Sequence, residues 1–172
     1  MAKILGSWSG MRKYLEQEML AASLAGRIRY GCTHYTGMDN DRIFEIRVDG
    51  KQVKRFSLET VNAWFAAAGL RQPRHPMGSA ESWDGFWDLM AAHPMSARPE
   101  YTADEFCDAL AEYRRQDIQS SLASENPLVR MFAILDRRAG RRTLAAQKAL
   151  LDAQPEWLQA FYRLRLEAEG LI

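Results

Sequence analysis

The chain predicts an α+β fold: an N-terminal helix, a three-stranded antiparallel sheet and a second helix in the order αβββα, followed by a four- or five-helix region. Three observations carry it. Residues 27–35 and 42–56 alternate apolar and polar side chains with the period of two of half-buried strands, and from Ser57 the period becomes 3.6. Asp49-Gly50 interrupts the second run, and a two-residue hairpin loop needs the positive φ that Asp-Gly supplies. Downstream, apolar residues recur at helical spacing behind recognisable cap residues.

The hairpin turn sets a register. Val48 is expected opposite Lys51, Ile46 opposite Val53 and Glu45 opposite Lys54, so that apolar meets apolar and opposite charges meet across the strands. Before the sheet, Trp8, Met11, Leu15, Met19 and Ala22 predict an amphipathic helix over residues 8–23, stopped near Gly26. Thr36 to Asp41 reads as a polar connection between the first two strands. Ser57 caps the next helix, whose stripe is Leu58, Val61, Phe65 and Ala68, and Gly69-Leu70 resembles a C-terminal glycine cap.

The domain organisation follows. Residues 1–70 form the αβββα module, residues 71–80 (RQPRHPMGSA) a linker or loop, and residues 81–172 a helical region packed on the module as one unit. Trp83, Phe86, Trp87 and Met90 mark a short helix stopped at His93-Pro94. Thr102 and Glu105 form a capping box, with Tyr101 and Phe106 placed for a hydrophobic staple, ahead of a stripe of Phe106, Leu110 and Tyr113. Asn126-Pro127 opens a helix with Leu128, Met131, Phe132 and Leu135 inward, which Gly140 is expected to end. Helices over 143–153 and 155–169 complete the chain.

Composition narrows function by exclusion. A hydrophobic content of 47% and a charged content of 26% are those of a globular protein. No apolar run approaches the roughly 20 residues that span a bilayer, and the first seven residues are too short and polar for a secretory signal. Two cysteines, Cys32 and Cys107, form no disulfide framework, so a cytoplasmic protein with reduced thiols is expected. The net charge of +1 hides a polarity: residues 76–125 carry 3 basic and 10 acidic side chains, while both flanks are basic. Charge complementarity between packed segments accounts for this more simply than an acidic partner does.

The densest basic cluster is Arg137, Arg138, Arg141 and Arg142, with Arg130, Arg163 and Arg165 as candidate neighbours. Guanidiniums bind phosphate bidentately and release counterions from nucleic acid. They also oppose the negative end of a helix dipole and pair with acids, here expected among residues 81–125. Cys32 and His34 share a strand face, but a metal site needs three or four ligands, and Cys107, His75 and His93 offer no recognisable spacing. A Cys32–histidine nucleophile lacks a supporting turn motif. Asp104, Asp108 and Glu112 on one helix face read as a solvated row. The segment 82–90 mixes aromatics with acids. Such segments dock in partners' grooves, yet the lid of the protein's own core is the reading preferred here.

The helix–strand–strand–strand–helix order also resembles the topology of double-stranded RNA-binding domains. That family opens its second helix with phosphate-clamping lysines and carries a histidine in the first strand connection. Here the helix opens Ser57-Leu58-Glu59-Thr60 and the connection holds two aspartates, so the electrostatic footing for RNA is missing.

Four blocks, residues 8–16, 24–30, 47–51 and 126–142, together resemble a family of small uncharacterised bacterial cytoplasmic proteins. The resemblance implies a bacterial origin and carries over no activity, cofactor or catalytic residue. The expected function is a non-enzymatic binding or accessory protein with a protein partner, no cofactor, no metal, no catalytic residues and no membrane. The alternative is a nucleic-acid-binding protein using Arg137, Arg138, Arg141 and Arg142.

Overall fold

The computed structural model describes residues 6–34, 42–70 and 80–172. Ser7 caps α1 (Trp8–Lys13), its hydroxyl accepting the Gly10 N–H at 3.2 Å. The run expected as one helix over 8–23 then changes form. It passes into a π-helical segment, Tyr14–Met19, leaves the helix at Leu20 and closes with a 3₁₀ turn, Ala22–Leu24. Met11, Leu15 and Met19 face inward as the spacing predicts, but Ala22 is exposed. The helix ends early because its backbone finds partners elsewhere. The Ala21 N–H donates to the Leu135 carbonyl at 3.0 Å, the Arg137 N–H donates to the Met19 carbonyl at 2.9 Å, and Leu20 pairs with Asp136 as an isolated bridge.

Gly26, at φ +80°, turns the chain into the sheet. Strands β1 (Ile28–His34), β2 (Arg42–Val48) and β3 (Lys51–Phe56) pair antiparallel in sequence order. Both turn residues, Asp49 (φ 49°) and Gly50 (φ 83°), are left-handed, as the predicted primed turn requires. Val48 faces Lys51 as expected, but the register then departs from the prediction. A bulge follows: Arg47 faces Gln52, Ile46 faces Lys54 and Glu45 faces Arg55. Val53 is the extra residue and is 45% exposed, while Lys54 turns inward and is 6% exposed. Glu45 pairs with Arg47 on its own strand, at 2.9 Å, and not with Lys54. The outer edge of β1 is closed by Glu16, which accepts the Tyr30 N–H at 2.8 Å and pairs with Arg29 at 2.9 Å.

Ser57 caps α2 (Leu58–Ala67), and the helix ends on Gly69 (φ +71°), where the Leu70 N–H reaches back to the Phe65 carbonyl at 3.0 Å. The expected linker, residues 71–80, lies outside the described residues except for Ala80, the first residue of α3 (Ala80–Ala92). Thr102 and Glu105 form the predicted capping box of α4 (Ala103–Tyr113). A short helix, α5 (Ile118–Leu122), follows on an Asp117 cap. The predicted Asn126 cap opens α6 (Pro127–Leu135). That helix stops at Asp136, which is extended and bridged to Leu20. Gly140 therefore does not end α6. It occupies the N-cap of α7 (Arg141–Lys148), and α8 (Glu156–Ala168) completes the chain.

The sheet and the C-terminal helices bury one common core. The Phe106 ring lies 5.3 Å from Phe44 and 4.8 Å from Phe56 of the sheet, and 5.2 Å from Phe132 of α6. A second, smaller cluster stands apart: Val61 and Phe65 of α2 with Phe86 of α3. So α3, which the sequence groups with residues 81–172, shares its buried contacts with the helix that closes the αβββα module. Among the described residues no helix is long and apolar enough to cross a membrane.

Candidate functional site

The basic cluster of the sequence lies in the turn between α6 and α7 and the first residues of α7, and the fold divides it. The Arg138 side chain donates to the Asp136 carboxylate at 2.9 Å and to the Tyr113 hydroxyl at 2.7 Å, and Tyr113 in turn donates to Asp136. Asp136 is 2% exposed, and its carboxylate also accepts the Arg138 N–H at 2.6 Å. This hydrogen bonding holds the Arg138 guanidinium above its ordinary pKa. Arg141 donates to the Glu169 carbonyl at 2.7 Å, fastening α7 to the end of α8. Arg137 and Arg142 are exposed and make no side-chain hydrogen bond or ion pair among the described residues. The carboxylate that Arg138 finds is two residues away, not in the acidic segment 81–125 as expected, because the extended backbone at Asp136 folds that side chain inward.

The neighbouring arginines are also engaged. Arg130 donates to the Ser124 carbonyl and, at 3.0 Å, to Gln154. Arg165 is 3% exposed and holds Glu169 at 2.8 Å, Ser23 at 2.9 Å and the Ala139 carbonyl at 3.1 Å. Arg163 donates to Gln159 on its own helix. Through Ser23, Arg165 thus ties α8 to the N-terminal part of the chain, while Arg130, Arg138, Arg141 and Arg163 bond within residues 113–169.

The remaining sequence candidates are scattered. Cys32 on β1 is half-buried, with its thiol pKa raised by burial, and His34 is exposed. Cys107 on α4 is buried, which pushes its thiol up to about 12. Neither thiol is activated as a nucleophile. Among the described residues no group of three His, Cys, Asp or Glu could hold a metal ion. His93 accompanies the Leu89 carbonyl at 2.9 Å and edges the Trp64 and Phe65 rings. His75 lies outside the described residues. Asp104 and Asp108 are exposed, whereas Glu112 accepts from Asn126 at 3.2 Å.

A feature the sequence could not show is the setting of Lys54. Its ammonium sits 5.2 Å from the Trp157 ring centre and 5.5 Å from Tyr101, bonded to the Pro99 carbonyl and to Glu100 at 3.0 Å. Burial lowers its pKa. An open groove of about 590 Å³ lies beside it, walled by residues 96–99 and 155–157. Lys54, Pro99 and Glu100 satisfy one another beside this groove, while the Trp157 indole N–H in its wall has no hydrogen-bond partner among the described residues and Glu156 at its rim is exposed.

The surface of α3 differs from all of these. Trp83 and Trp87 stack with ring centres 6.4 Å apart and planes 24° apart. Phe86, one residue before Trp87, is buried against Phe65 at 6.0 Å, which turns Trp87 outward, 51% exposed. The core-lid reading of this segment therefore holds for Phe86 and fails for Trp87. Asp84 and Asp88 are exposed beside the stacked rings and form no ion pair among the described residues. Helices α2 and α3 together contain Glu59, Glu81, Asp84 and Asp88, with neither lysine nor arginine. Of these, Glu59 pairs with Arg55 at 3.1 Å.

The model of the SF0329 protein family matches residues 7–166. No curated protein and no solved structure matches the chain.

Proposed function

We propose that this chain, which belongs to the SF0329 protein family, is a non-enzymatic accessory protein that docks a protein partner on the acidic, aromatic face of α3. One observation carries this reading: Trp87 stands half in solvent, stacked on Trp83, above a small core of its own. An indole left in water forgoes a large apolar stabilisation, and tryptophan is among the residues most concentrated at the energetic centres of interfaces. The exposed carboxylates of Asp84 and Asp88 keep such a face soluble when it is free. A cytoplasmic setting, supported by two free cysteines, belongs to the same reading, as does the bacterial origin that the resemblance of the four sequence blocks implies.

The nucleic-acid reading has Arg137 and Arg142 in its favour, both exposed. It is the weaker of the two, since Arg138 and Arg141 are tied to Asp136 and to the end of α8. A tagged pull-down separates the readings. Lysate is passed over the parent and over Trp87→Ser, with and without nuclease. The expected result is a protein, identified and then reassembled from purified components, that survives nuclease and is lost in Trp87→Ser at an unchanged melting temperature. Material retained equally by Trp87→Ser, or lost on nuclease treatment, would sink the docking reading.

A further inference from the structure

The partner's chemistry is written in the arrangement of α3, on the premise that α3 is the docking face. Trp83 and Trp87 are one helical turn apart, and so are Asp84 and Asp88. At about 100° per residue, the two pairs make parallel rows along the helix: one of indole rings, one of carboxylates. Trp83 is half-buried while Trp87, Asp84 and Asp88 are exposed, so the rows are open side by side. Neither α2 nor α3 supplies a cation to neutralise the carboxylate row.

We propose that this surface receives an arginine-bearing segment of another protein. A guanidinium is planar, so it can lie flat on an indole face while its edge N–H groups fork onto a carboxylate beside that indole. Trp87 and Asp84, three residues apart and so on one helix face, supply those two contacts. A lysine ammonium is a compact, strongly hydrated point charge that satisfies the carboxylate but gains less from the ring. The protein uses the same grammar internally. The Arg114 guanidinium lies 4.7 Å from the Tyr14 ring centre, and Arg138 lies 5.4 Å from the Tyr113 ring while its Nε donates to Asp136 and its Nη2 to the Tyr113 hydroxyl. On α3 the ring and the acid are present, and among the described residues no arginine is paired with Asp84 or Asp88.

The test uses purified full-length protein and two synthetic helical peptides, identical except that one carries arginine and the other lysine at positions i and i+4, between leucines. Binding is followed by tryptophan fluorescence at low salt. The arginine peptide is expected to bind roughly tenfold more tightly than the lysine peptide. Trp87→Leu, which keeps an apolar surface and removes the π face, should erase that preference. Asp84→Asn with Asp88→Asn should weaken the arginine peptide and flatten its salt dependence. Equal affinity for the two peptides, or a preference that persists in Trp87→Leu, overturns the proposal. So does a concentration-dependent dimer of the parent that Trp87→Leu abolishes, because the occupant would then be a second copy of this chain. A lysate partner lost in Trp87→Ser but indifferent to its own arginines would leave the docking face standing and remove only this inference.

Discussion

At the scale of single residues, backbone conformation and burial separate positions that composition makes look alike. Gly50 sits at φ 83°, and a Cβ built there would meet nothing within 4 Å. The cost of a side chain is thus purely conformational. Gly50→Val should lower stability by about 1 kcal/mol or more, read as a lower urea midpoint at unchanged m-value. Cys107 gives a pH-dependent prediction. Burial raises its folded pKa from the ordinary 9.0 to about 12. Below the unfolded value both states keep the proton and pH has no effect through this group. Above it the unfolded chain loses the proton while the folded chain retains it, so stability falls as pH rises toward the folded pKa. From pH 8.5 to pH 10 this loss should reach about 1 kcal/mol, and Cys107→Ala should remove it. Buried Tyr30, Tyr101 and Tyr162 also have raised pKa values, so their losses set in as pH approaches 10, and the Cys107 share is read as the difference between the parent and Cys107→Ala.

At the scale of elements, the caps were legible and the places where two elements negotiate were not. Ser57, Thr102 and Asn126 bond the N–H groups that local sequence assigns to them, because a cap is settled within three or four residues. The bulge at Ile46/Arg47 was invisible, since the reason to turn Lys54 inward is Glu100, Tyr101 and Trp157, about 45 to 100 residues away. The π-helical segment and the early stop of α6 share a similar cause, the pairing of Leu20 with Asp136 across the whole chain. Gly140, a plausible stop signal by itself, was reassigned as the N-cap of α7 by that contact. The proposed docking face was half legible: the sequence showed the aromatics and acids of α3, but only packing decides that Phe86 goes in and Trp87 stays out. The α4 cap yields a graded prediction. Thr102→Ala should cost about 1 kcal/mol, the loss of one capping acceptor. Glu105→Ala should cost more, about 3 kcal/mol, because Glu105 also holds the buried Arg98 guanidinium, whose side chain is 2% exposed. Thermal melts of the two variants check the order. Equal costs would mean that Arg98 finds sufficient partners in the His93 and Glu100 carbonyls, at 2.9 and 2.7 Å.

At the scale of the whole molecule, the division of the core governs how it comes apart. The sheet shares Phe44, Ile46 and Phe56 with α4, α6 and α8, so neither the sheet nor the C-terminal helices can open without exposing the other. Among the described residues, the hydrophobic cluster of the α2–α3 pair buries only Val61, Phe65 and Phe86 outright, with half-buried neighbours such as Trp64, Trp83, Leu89 and Met90. Little apolar area is exposed to water when that pair loosens, so its opening free energy should be well below the global value. The tryptophans make this measurable. Of the chain's five, Trp64, Trp83 and Trp87 belong to the α2–α3 pair, and only Trp8 and Trp157 pack on the main core. Tryptophan fluorescence therefore reports mostly on the satellite, while far-UV circular dichroism reports on all the helices and strands. In a urea titration the fluorescence transition should come at lower denaturant than the dichroism transition, and amides of α3 should exchange faster than those of α6 and β2. Coincident transitions with equal protection would mean that α2 and α3 are bound into the main unit more tightly than their three buried side chains account for. A low opening cost also suits a docking face, since a partner that covers Trp87 would then add stability where the free protein has least. Saturation with a partner seated on α3 should move the early fluorescence transition toward the later one and leave the dichroism midpoint nearly in place.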